Sequence, residues 1–170
     1  MKAVIAIDSF KGSISSVEAG NAVKNAFESV FDGKAVVFPV SDGGEGTVET
    51  VVNGLNGETV RLSVTGPLGT KIDSFYGIIN NGGTAVIEMA AASGLTYVPD
   101  NMRNPMNTTT FGVGEIILDA VNRGVRDFVI GLGGSATNDG GLGMLSALGV
   151  KFKDSKAKTC GIFGRDLFYV

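Results

Sequence analysis

The chain has 170 residues, 44% of them hydrophobic, enough for one ordinary domain with a buried core. Its 14 Lys plus Arg against 17 Asp plus Glu make it mildly acidic, which argues against nucleic acid as a main partner because phosphodiester binding needs a basic face. One cysteine, Cys160, excludes an intrachain disulfide, and the absence of histidine excludes imidazole catalysis and histidine metal sites.

Residues 2–7 are an apolar run ending at Asp8, which reads as a strand buried on both faces. The run is too short for a signal-peptide core or a bilayer span, so a cytoplasmic protein with no membrane partner is expected. After the loop Ser9-Phe10-Lys11-Gly12-Ser13, Ser15 and Glu18 form a capping-box pattern. Ala19, Ala22, Val23, Ala26, Phe27 and Val30 follow at helical spacing, with Gly33 past the end. Residues 35–40 read as a second strand, and Ser41-Asp42-Gly43-Gly44-Glu45-Gly46 leads into a short helix from 47 to about 52. Three strands are predicted over 58–64, 72–80 and 84–89, joined by turn chemistry at Gly66-Pro67 and Asn80-Asn81-Gly82-Gly83. A helix over 110–123, a strand over 127–131, a glycine loop and a helix over 142–148 come next, and another strand opens at 150–152.

Strands alternating with helices predict an α/β protein with a doubly wound, mostly parallel sheet, and the consecutive hairpin-like strands predict a β-rich insertion. The chain stops just as a new strand begins, on exposed-looking aromatics, so residues 155–170 read as an atypical tail left by truncation or a change of reading frame.

Glycine is enriched to 26 residues, about twice the usual share of roughly 7%, and clusters in loops at predicted strand ends. Lys11, between small residues after the first strand, is placed to swing to a phosphate, although a solvated lysine beside a helix cap accounts for the same pattern. Ser9 is grouped with it as a ligand-binding position. Gly43, Gly44, Gly46 and Thr47 would offer unhindered N–H groups at a helix start, where the dipole favours an anion. Asp42 and Glu45 would repel that anion unless they bind Mg²⁺ or accept a substrate proton. In the third loop, Gly133, Gly134, Ser135, Thr137 and Asn138 could cradle phosphate while Asp139 reaches a metal or a hydroxyl. Part of that loop also fits G-x-G-x-x-A at Gly131, Gly133 and Ala136, with Asp154 as the later acid, which keeps an NAD-dependent oxidoreductase as an alternative. Glu88, at a predicted strand end, reads equally as a residue facing the site and as a satisfied buried acid.

Seven segments, in order, together resemble the glycerate kinase family: Asp-Ser-Phe-Lys-Gly-Ser at 8–13, Ser-Asp-Gly-Gly-Glu-Gly-Thr at 41–47, Thr-Gly-Pro-Leu-Gly at 65–69, Ala-Val-Ile-Glu-Met-Ala at 85–90, Ala-Ser-Gly-Leu at 92–95, Thr-Thr-Thr-Phe-Gly-Val-Gly-Glu at 108–115 and Gly-Leu-Gly-Gly-Ser-Ala-Thr-Asn-Asp-Gly-Gly at 131–141. The resemblance runs to about Asp154 and covers only the N-terminal portion of a longer family pattern. It implies a Rossmann-like domain, here residues 1–60 with 106–154, interrupted by part of a second α/β domain at 61–105. It also implies ATP- and Mg²⁺-dependent phosphorylation of D-glycerate, with the 2-position favoured over the 3-position. Lys11, Asp42 and Asp139 would be the catalytic set, and Asp42 or Asp139 would hold the metal. Weak or absent activity is expected of the 170-residue chain by itself. A non-catalytic ligand-binding remnant, self-associating through an incomplete sheet edge, is the remaining alternative.

Overall fold

A computed structural model of the chain describes residues 1–10 and 13–170. Strand β1 (Lys2–Ile7), helix α1 (Ser16–Val30) and strand β2 (Lys34–Pro39) form a β-α-β unit whose strands pair in parallel, from Lys2 opposite Lys34 to Ile7 opposite Pro39. The predicted capping box starts α1: Glu18 N–H donates to Ser15 Oγ at 3.2 Å, and Ser15 N–H to the Glu18 carboxylate at 3.0 Å. Helix α1 lies directly on β2, where a Cβ on Gly20 would fall 2.3 Å from Val37 Cγ1. The opposite face of this pair is uncovered, with Val4 72%, Val36 52% and Phe38 55% exposed. The apolar run 2–7 is therefore a strand half-buried on one face and exposed on the other, not one buried on both.

Helix α2 (Thr47–Gly54) precedes strands β3 (Glu58–Thr65), β4 (Lys71–Ile79) and β5 (Thr84–Glu88), followed by helices α3 (Met89–Ser93) and α4 (Phe111–Asn122), strand β6 (Asp127–Gly131) and helix α5 (Leu142–Ala147). The sheet order is β3-β4-β5-β6, with β3–β4 and β4–β5 antiparallel and β5–β6 parallel. This sheet is mixed and not mostly parallel. Two tight turns cause the difference: Gly66 N–H donates to Thr70 O at 2.7 Å, and Asn80 and Asn81 take left-handed φ of 55°. Such turns reverse the chain, whereas a parallel neighbour needs a long crossover, here supplied by α4. Strand β6, from the segment 106–154, thus shares a sheet with strands from 61–105. Among the described residues no ladder joins β1 and β2 to the four-stranded sheet.

Period-two alternation divides the four-stranded sheet between two cores. Val60, Val64, Tyr76, Ile78, Ala85 and Ile87 face α4, whose Val113, Ile116 and Ala120 complete one cluster. Ile79 and Val86 face α2 and pack with Val48 and Val52. Glycine at 77 brings α2 close, since a Cβ there would meet Val52 Cγ2 at 2.4 Å. Glu88, two residues beyond Val86, falls on the α2 side by the same parity.

The strand expected at 150–152 does not form. Asp154 instead accepts the N–H groups of Lys156 and Lys158 through Oδ1, at 2.8 and 2.9 Å, and curls the chain into a loop. The tail returns to the body, where Gly164 N–H donates to Thr108 O at 3.1 Å and Arg165 donates to Asn107 Oδ1 at 2.7 Å. Among the described residues no helix is long and apolar enough to cross a membrane.

Candidate active site

The chain following β1, the chain following β2 and the loop following β6 meet above the carboxyl end of β5. Gly133 N–H donates to Gly43 O at 3.0 Å. A Cβ on Gly131 would fall 2.3 Å from Gly43 O, and one on Gly133 would fall 2.6 Å from Gly44 Cα. The two glycine loops therefore touch backbone to backbone, an approach that any side chain there would block. Thr47, at the start of α2, is buried and spends its hydroxyl on Gly44 O at 2.7 Å, beside Ser41 Oγ at 2.5 Å.

Two cavities open on this junction. One, of about 360 Å³, is lined by Ser9, Ser13, Glu45, Gly46, Glu49 and Glu88 among others. The second, of about 340 Å³, is lined by Gly44, Gly134, Phe75, Leu95 and Tyr97 among others. Glu45, Phe75 and Glu88 line both and form the shared wall. A larger hollow of about 690 Å³, around Asn56, Asn80 and Arg123, lies at the opposite end of the sheet and contains no predicted site residue.

Glu88 is 1% exposed and accepts Val48 N–H through Oε1 at 2.6 Å. Burial pushes its carboxyl above the usual carboxylate range; hydrogen bonds from the Val48 and Gly46 N–H groups act against that push, and the charges of Glu45 and Glu49 add to it. The first turn of α2, expected to receive an external anion, thus already faces an internal carboxylate. The two readings of Glu88 resolve into one residue that is both satisfied and site-facing.

Asp42 is exposed at the mouth of the junction, and its Oδ1 accepts Gly44 N–H at 3.0 Å. Asp139 is 1% exposed. Its carboxylate accepts Thr110 N–H at 2.8 Å, the Thr110 hydroxyl at 2.8 Å, Gly141 N–H at 3.0 Å and Gly143 N–H at 3.1 Å. It binds the start of α4 to the start of α5. Ser135 and Thr137 bond each other at 2.8 Å and face a separate cavity of about 230 Å³ with Arg103 and Asn104. The segment turns that way because Leu95 N–H donates to Gly134 O and Ala136 N–H to Ser93 O. Asn138 is exposed. Lys11 lies outside the described residues. Phe75, Leu95 and Tyr97 were not singled out from sequence, since apolar residues in strands and turns carry no chemical signature.

Among the described residues no group of three or more Asp, Glu or Cys side chains is arranged to hold a metal by itself. Mg²⁺ commonly uses one or two carboxylates completed by phosphate oxygens and water, and exposed Asp42 fits that demand. Asp139 has its oxygens committed to four donors. The dinucleotide pattern gains no support from the backbone, because α5 begins only at Leu142, well past Ala136, whereas that motif opens a helix within itself.

The family model described as "Glycerate kinase family" matches residues 3–170, including the segment 155–170 that the sequence reading set apart. The chain is 51% identical over 168 residues to a glycerate kinase of Haemophilus influenzae, covering 98% of this chain and 44% of the relative. It is 49% identical over 168 residues to glycerate 2-kinase of Escherichia coli, again covering 98% and 44%. The crystal structure of a Salmonella typhimurium LT2 protein, 45% identical, superposes with a TM-score of 0.83 over all of this chain and 46% of that one. The chain thus spans less than half the length of the curated relatives it matches. By sequence and by fold, it belongs to the glycerate kinase family.

Proposed function

We propose that this chain carries the phosphate-handling portion of an ATP-dependent D-glycerate kinase acting in the cytoplasm, with the 2-hydroxyl as acceptor. The observation that carries this reading is the backbone contact between Gly43–Gly44 and Gly131–Gly133, beside two cavities that Gly44, Gly46 and Gly134 border. Backbone without side chains in such a place lets phosphate oxygens approach closely, and phosphoryl transfer depends mainly on positioning and charge stabilisation. Asp42 would hold Mg²⁺, which when bound neutralises charge on the phosphate oxygens. Lys11, two residues after Ser9 in the sequence, would add a second positive charge. Gly46 and Thr47 act by shaping the loop, and Asp139 by holding α4 and α5 together beneath it. Ser135, Thr137 and Asn138 stand farther along the same strap and would contribute through its shape.

The test is calorimetric titration of the chain with ATP–Mg²⁺, together with a steady-state assay with D-glycerate and phosphorus NMR of the product. Nucleotide binding with low turnover and a 2-phosphoglycerate signal is expected. Absence of nucleotide binding overturns the reading, and robust turnover overturns the expectation that the chain alone is weak.

A further inference from the structure

We propose that the cavity between Phe75, Leu95 and Tyr97 receives the nucleobase of the nucleotide, an assignment that rests on the kinase reading above. The cavity, about 340 Å³, is of a size that holds a heteroaromatic ring, and its apolar lining is Phe75 on the shared wall with Ala90, Ala91, Leu95 and the Tyr97 ring beyond it. Among the described residues, its ionisable groups besides Tyr97 are the acids Glu45 and Glu88. This combination selects among ligands. A small carboxylate such as glycerate would meet two like charges and lose its hydration against apolar walls, with no cation among the described lining residues to offset either cost. A neutral flat ring carrying an exocyclic amine meets the opposite situation: it stacks on aromatic faces and donates N–H to carboxylate oxygens.

The position agrees with the chemistry. Gly44 and Gly134 border the cavity and belong to the two loops that meet backbone to backbone. A base seated against Tyr97 therefore has its phosphates directed toward the glycine junction and Asp42.

The experiment exploits the absence of tryptophan from the sequence. Tyr97→Trp places a single emitter in the cavity wall, and adenosine, inorganic tripolyphosphate with Mg²⁺, and D-glycerate are titrated separately. Adenosine is expected to change the emission, and glycerate to leave it unchanged. Calorimetry on Tyr97→Ala and on Leu95→Ser, the latter at an exposed position chosen to spare the fold, is expected to show about tenfold weaker adenosine and ATP binding, from loss of a stacking ring in the first and of an apolar contact in the second. Tripolyphosphate binding is expected to be unchanged in both. Adenosine affinity equal to wild type in both folded variants overturns the proposal, as does an emission change produced by glycerate and not by adenosine. Adenosine binding at Tyr97 without any tripolyphosphate binding supports the base site while overturning the phosphotransfer reading.

Discussion

The Glu88 carboxylate accepts the backbone N–H of Val48 at 2.6 Å across 40 positions of sequence, fastening the end of β5 to the first turn of α2. Removing it in Glu88→Ala leaves a buried N–H without an acceptor, and a loss of about 1–3 kcal/mol is expected in urea unfolding. Glu88→Gln keeps an acceptor oxygen and should lose less. The pH dependence has a definite sign. Because the folded pKa is raised above the ordinary value of 4.5, the folded state holds this proton more tightly than the unfolded state. Stability should therefore fall as pH rises from 4.5 through the folded value, and Glu88→Gln should flatten that slope.

Glu115 works in the opposite sense. Burial pushes its carboxyl up, but the Lys71 ammonium at 2.7 Å and the Thr65 N–H hold it below the ordinary value. Its contribution is present above pH 4.5 and is lost as pH falls through the folded value. Lys71 is 60% exposed, so solvent screening keeps the pair to at most about 1 kcal/mol. Glu115→Gln should cost about that much at pH 7 and reduce the acid sensitivity of unfolding.

Gly131→Ala and Gly133→Ala should each destabilise by about 1–3 kcal/mol, because each new methyl meets rigid backbone of the neighbouring loop. Thermal melting measures the cost. Nucleotide titration of the folded fraction should show weaker binding than in wild type, since the two loops must separate to admit the methyl.

Asp139→Ala should cost at least about 2 kcal/mol without any metal present, since three backbone N–H groups lose their acceptor at a buried position. Unfolding in a chelator measures this directly. An unchanged midpoint there would overturn this structural role for Asp139.

Much of the element order was legible because local signals were strong. The Ser15–Glu18 cap and the turn at Asn80–Gly83 each depend on neighbours within a few residues. Properties set by distant partners were not legible. The polarity of Val86-Ile87-Glu88 does not reveal that Val48 waits opposite. Asp139 reads as a loop acid until Thr110, 29 positions earlier, closes over it. The apolar 2–7 run predicts a strand, but which faces are covered depends on what packs there. Residues 150–152 have strand composition, yet Asp154 satisfies its own neighbours first.

The β1–β2 pair, backed by α1 alone, has a further consequence for the site. A two-stranded ladder with one bare side is marginal by itself, so it should open and close more readily than β4 and β5, which are sandwiched between α2 and α4. Amide protons of Val4 to Ile7 are expected to trade with deuterium well before those of Tyr76 and Val86 in native-state exchange. Ser9, two residues beyond β1, would then come and go with that ladder, while Gly133 and Tyr97 stay put on the stiffer half, so that one wall of the pocket breathes against the other.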